Sequence, residues 1–96
     1  MYEIRYSKPA EHYLKKIKDA RLLAAFKEVI DKLKTDPYIG IQKVGDLRGI
    51  NGYDVKYAGT NYELAYRIYE DNGKYVVIIL AGTRENFYEA LKRIIK

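Results

Sequence analysis

The chain has 96 residues, 48% apolar and 32% charged, which is room for one hydrophobic core and predicts a single globular domain over residues 1–96. It has no cysteine and one histidine, which excludes disulfides, thiolate zinc sites, thiol nucleophiles and any mechanism needing two imidazoles. Eighteen basic residues against thirteen acidic ones leave a net charge of +5, which permits a polyanionic partner.

The start, Met1 to Tyr6, carries charge inside its apolar stretch and does not read as a secretory signal. No apolar run approaches the ~20 residues of a membrane span, so the expectation is a cytoplasmic protein with no membrane partner. Residues 2–7 alternate, with Tyr2, Ile4 and Tyr6 on one side and Glu3, Arg5 and Ser7 on the other, which predicts a half-buried strand. Ser7 offers a helix N-cap and Pro9 fits a first turn, where a missing N–H costs nothing. Ala10, Leu14 and Ile17 form that helix's apolar stripe. Asp19 is a second cap, and Leu22, Leu23, Phe26, Ile30 and Leu33 follow at helical spacing until Asp36-Pro37 stops the run.

Residues 35–51 are irregular. The period then switches to two: Tyr53, Val55 and Tyr57 alternate with Asp54, Lys56 and Ala58, and Tyr62, Leu64, Tyr66 and Ile68 with Glu63, Ala65, Arg67 and Tyr69. Asn72-Gly73 signals a two-residue hairpin turn. Tyr75 to Leu80 is apolar on both sides, as expected of a strand covered on both faces. Thr83 is positioned to cap a last helix whose inner side carries Phe87, Leu91 and Ile94 or Ile95. The order is β-α-α-β-β-β-α, an α+β fold with an antiparallel sheet, a two-helix hairpin on one face and a C-terminal helix.

The turns predict a register. With Asn72-Gly73 as one turn, Arg67 lies opposite Ile78 and Glu63 opposite Gly82. With Gly59-Thr60 as the other, Lys56 lies opposite Glu63. Paired residues share a face, so Lys56, Glu63 and Gly82 form a row, with Arg84 two residues on and Tyr88 one helical turn beyond. Such a row suits phosphate chemistry. Arg84 and Lys56 stabilise the charge of a pentacoordinate transition state, Glu63 takes a proton from a hydroxyl such as the RNA 2′-OH, and Tyr88 positions or protonates. No metal or other cofactor is required. The same Lys56–Glu63 pair also reads as an ordinary cross-strand ion pair worth about a few tenths of a kcal/mol. Asp54 reads as a solvated strand residue and His12 as solvent-exposed. Arg67, Tyr69, Arg48 and Lys43 are candidate RNA contacts, Tyr69 by base stacking.

The element order, Asp36-Pro37, Leu47-Arg48-Gly49, the run Tyr62 to Tyr69 and the ending Gly82 to Tyr88 together resemble the RelE/ParE superfamily of bacterial and archaeal toxins. The resemblance spans essentially the whole chain. It implies the toxin of a toxin–antitoxin pair, with a small cognate antitoxin as partner. In the RelE branch it implies a ribosome-dependent mRNA endoribonuclease that acts by metal-independent 2′-OH attack on the adjacent phosphate. Lys56, Arg84 and Tyr88 match that branch's site, whereas Asp54 stands where a Lys is usual and Glu63 where an Arg is usual. The ParE branch implies DNA gyrase as target instead, and a non-catalytic basic module that binds antitoxin or RNA is the third reading.

Overall fold

The computed structural model describes residues 1–95. In chain order the elements are β1 (Glu3–Tyr6), α1 (Lys8–Lys16), α2 (Ala20–Thr35), a 3₁₀ turn (Pro37–Ile39), β2 (Ile41–Gln42), a second 3₁₀ turn (Gly45–Leu47), β3 (Asn51–Tyr57), β4 (Thr60–Tyr69), β5 (Tyr75–Thr83) and α3 (Phe87–Ile94). Both predicted caps are made. The Ser7 hydroxyl accepts the Ala10 N–H at 3.1 Å, and Asp19 Oδ1 accepts those of Arg21 and Leu22 at 2.9 and 3.3 Å. The last helix starts later than expected. Asn86, at a φ of 60°, precedes it with no side-chain cap, and Thr83 remains the end of β5.

One five-stranded sheet has the order β1-β5-β4-β3-β2. All its ladders are antiparallel except β1–β5, which is parallel. The helical hairpin covers one face, where Phe26, Ile30 and Leu33 pack against Val55, Leu64, Tyr66, Val76 and Ile78. On the other face α3 lays Phe87 and Leu91 over Ala65, Ile79 and Ile50. The side-chain parity read from the alternation of β4 is therefore the real partition between the two layers.

Both expected turns differ in position. The β3–β4 reversal uses Ala58 and Gly59, at φ 50° and 77°, so Tyr57 pairs with Thr60 and Lys56 with Asn61. Asp54, not Lys56, lies opposite Glu63. The β4–β5 connection is wider than a two-residue turn, because the last pair is Tyr69 with Tyr75. Arg67 consequently faces Val77, not Ile78. An irregularity between Ala65 and Tyr66 shifts the register back by one, so Glu63 does face Gly82. The extra residue is on β5, where Ile79 and Leu80 both turn towards α3.

Candidate functional site

A cleft of about 370 Å³ opens at the end of the sheet where β4 begins, on the α3 side, lined by Ile39, Gly40, Ile41, Lys43, Gly52, Tyr53, Asp54, Glu63, Arg84 and Tyr88. Its floor is Glu63, only 2% exposed. A carboxylate that deep requires a counter-charge. Lys43 supplies it, with Nζ 2.8 Å from Oε2. The same ammonium donates to the Tyr88 hydroxyl at 2.9 Å and lies 4.5 Å from the centre of that ring. Burial by itself would lower the Lys43 pKa, but the hydrogen bonds to Glu63 and Tyr88 outweigh it and hold the group above its ordinary value. Lys43 is therefore a fixed cation at neutral pH.

The other Glu63 oxygen, Oε1, is buried and has no hydrogen-bond partner. Arg84 stands over it with Nε at 3.8 Å, while Arg84 Nη1 is 3.7 Å from Asp54 Oδ2. One guanidinium thus bridges two carboxylates that face each other across the β3–β4 ladder. The β5 end holds Arg84 in place, its backbone N–H bonding the Asn61 carbonyl at 3.0 Å. The arrangement offers two cations, one phenol and one accessible carboxylate within a single cleft. Those are the parts a phosphoryl substrate with a nearby hydroxyl would engage.

Lys43 reaches Glu63 because the segment before it is pinned. The Tyr66 hydroxyl, fully buried, donates to the Pro37 carbonyl at 2.7 Å and accepts the Gly40 N–H at 3.1 Å. Burial pushes the Tyr66 pKa up to about 12, which keeps it a neutral donor. The approach also depends on Gly52. A Cβ there would come within 2.4 Å of Glu63 Oε2 and 2.9 Å of Lys43 Nζ, so any other residue would displace the pair.

Of the catalytic residues expected from sequence, the structure brings together Arg84, Glu63 and Tyr88. Lys56 is displaced: the earlier turn moves it two ladder pairs towards the hairpin end, opposite Asn61 and about 7 Å along the strand from Asp54, on the same face. Lys43 takes the place beside Glu63, and Asp54 joins the cleft rather than simply facing solvent. Tyr69 lies near the other end of β4, about 20 Å from Glu63, stacked on Tyr75 at 4.9 Å with Arg5 over that second ring. Arg67 sits beneath the loop at Gly49 and Arg48 is exposed on that loop, so neither enters the cleft. His12 is exposed as expected.

The comparisons with known proteins bear on the family and the fold. Residues 4–92 match the family model described as ParE-like toxin of type II bacterial toxin-antitoxin system. The chain belongs to this toxin family. A chain of the RelBE2 toxin–antitoxin complex from Mycobacterium tuberculosis is 32% identical, with a TM-score of 0.68 over 86% of this chain and 98% of the other. A double arginine mutant of the Escherichia coli toxin RelE in the free state superposes with a TM-score of 0.72 over 97% of each chain at 21% identity, which shows the shared fold. The same mutant bound to an antitoxin RelBc peptide gives 0.64 over 97% of each chain at 22% identity. No curated protein matches the sequence. The chain is thus a RelE/ParE superfamily toxin with the RelE fold, and no helix among the described residues is long and apolar enough to cross a membrane.

Proposed function

We propose that this toxin is a ribosome-dependent mRNA endoribonuclease, cleaving by 2′-OH attack on the adjacent phosphate without a metal or other cofactor, in the cytoplasm. The observation that carries the reading is the cleft itself, where Arg84 and Lys43 present positive charge beside Tyr88. Arg84 binds the scissile phosphate and stabilises the charge that builds on it. Lys43 holds the Tyr88 hydroxyl, which protonates the departing 5′-oxygen or positions the base above the cleft. Glu63 organises both cations from below, and Lys56, on the same face, extends the positive rim towards the hairpin.

The RelBE2 and RelE–RelBc complexes support a cognate antitoxin as the neutralising partner. Arg67, Arg48 and Tyr69 lie outside the cleft and serve, in this reading, as contacts to ribosomal RNA. Inducing the chain without its antitoxin should arrest growth, and primer extension should map new message ends at the ribosomal A site. Arg84→Ala should slow cleavage about 100- to 1,000-fold, the scale for removing one donor to a transition-state oxyanion. Intact messages in arrested cells would refute the reading. The family match to a ParE-like toxin favours one alternative, poisoning of DNA gyrase, which predicts double-strand breaks and an SOS response instead.

A further inference from the structure

We propose that Asp54, rather than Glu63, is the carboxylate that removes the 2′-hydroxyl proton, an assignment that rests on the ribonuclease reading above. A general base must come within hydrogen-bond reach of the proton it takes. Glu63 is closed off. Its Oε2 is held by Lys43 at 2.8 Å, and its Oε1 is buried beneath Arg84, so substrate reaches neither oxygen while the ion pair stands. Asp54 is directly across the ladder on the same face, its side chain 49% exposed on the cleft wall. Its Oδ2 is 3.7 Å from Arg84 Nη1, a charge contact without a hydrogen bond, which leaves its lone pairs free to accept.

Arg84 ties the two roles together. A phosphate that binds this guanidinium is delivered next to Asp54, and the 2′-hydroxyl one bond-network away from that phosphate comes with it. The Asp54 carboxylate takes the hydroxyl proton, the 2′-oxygen forms a bond to phosphorus, and the bond from phosphorus to the 5′-oxygen breaks. That oxygen leaves with the Tyr88 proton, giving a 2′,3′-cyclic phosphate and a 5′-hydroxyl. Protons and bonds balance, since Asp54 ends protonated and the Tyr88 phenolate, beside the Lys43 ammonium, is reprotonated from solvent.

The charged and titratable groups around Asp54 are Arg84 from the β5 end, Glu63 from β4 with Lys43 behind it, Lys56 two residues along β3, and Tyr88 from α3. Lys43, held above its ordinary value, stays cationic through the range in which a carboxylate titrates. An acid limb in the rate therefore reports a carboxylate, and variants identify which one.

The test is single-turnover cleavage of a defined message on programmed ribosomes across a pH series, using wild type, Asp54→Asn, Asp54→Glu and Glu63→Gln, with ribosome binding and thermal melting of each measured alongside. Asp54→Asn should bind and fold like wild type, cleave about 100- to 10,000-fold more slowly and lose the acid limb. Asp54→Glu should recover part of the rate and keep the limb. Glu63→Gln should cleave more slowly yet retain the limb. A rate for Asp54→Asn equal to or above wild type, or a limb lost only in Glu63→Gln, overturns the assignment and leaves the ribonuclease reading standing. A wild-type protein that does not cut the message overturns both.

Discussion

Near its two ends β4 carries a glutamate surrounded by tyrosine and lysine, and the two clusters behave differently. Glu70, just past the strand, is exposed and accepts a hydrogen bond from the Tyr2 hydroxyl, with Tyr38 and Lys74 close by. Glu63 is buried, has one oxygen in an ion pair with Lys43 and the other beneath Arg84 at 3.8 Å without a hydrogen bond. Water can satisfy the first carboxylate whether or not its protein partners are present. The second relies wholly on the fold, and an unmet buried acceptor costs about 1–3 kcal/mol. In the ribonuclease reading the Glu63 end is the working cluster, and the Glu70 end is a fastening between β1, the β4–β5 loop and the turn after α2.

The largest effect should come from breaking the buried pair. Lys43→Met strands the Glu63 charge and should cost about 3–5 kcal/mol, read from urea denaturation. Adding Glu63→Leu should restore most of that stability, because a well-packed apolar pair often matches a buried ion pair. Cleavage should stay lost in the double variant. Recovery of both properties together would show that the cations serve packing alone. At the other end, Lys74→Ala should move stability by no more than about 0.5 kcal/mol, since that lysine is exposed.

A middle-sized effect tests how the cleft is held. Tyr66→Phe leaves the Pro37 carbonyl and the Gly40 N–H without their buried partner. It should destabilise the chain by about 1–3 kcal/mol and, by loosening the segment that leads to Lys43, lower cleavage more than ribosome binding. An unchanged turnover with the stability loss would separate the Tyr66 anchor from the cleft.

The amino-acid pattern disclosed the layers better than the site. Strict alternation along β4 assigned Leu64 and Tyr66 to the hairpin face and Glu63 and Arg67 to the other, because parity survives any register error of two residues. That same tolerance explains the Lys56 error. A turn centred on Gly59-Thr60 is locally as acceptable as one on Ala58-Gly59, which asks a non-glycine residue to adopt a φ of 50°. The slip of two kept the face and changed the neighbour of Glu63 from Asp54 to Lys56. The Glu63–Gly82 pairing was reached through two offsetting departures, a wider β4–β5 loop and the irregularity in the β4–β5 ladder. From sequence Lys43 reads as an RNA contact in an irregular stretch, not as the partner of Glu63. Its place depends on a hydroxyl 23 residues away on β4, a tertiary contact with no local periodicity. The one available signal was Gly52, small where a strand would otherwise favour a side chain.

The smallest effect concerns the exposed end and is visible only as a pH dependence. Hydrogen bonds from Tyr2 and Tyr38 hold the Glu70 carboxyl below its ordinary pKa, and the same contact raises the Tyr2 phenol above its own. A carboxylate lowered on folding stabilises the protein above its unfolded pKa and loses that contribution as pH falls through the folded value. A phenol raised on folding acts in the opposite sense: its contribution is present below the unfolded pKa and fades as pH climbs through the folded one. The Tyr2–Glu70 contact is therefore fully present from about pH 5 to pH 9, between the ordinary carboxylate and phenol ranges. Melting temperatures across pH should show wild type slightly above Glu70→Gln in that window, with the two curves converging on acidification. Cleavage at neutral pH should be the same for both. A neutral-pH loss of cleavage in Glu70→Gln would mean that the two ends of β4 are coupled, and the division between a fastening and a working cluster would have to be abandoned.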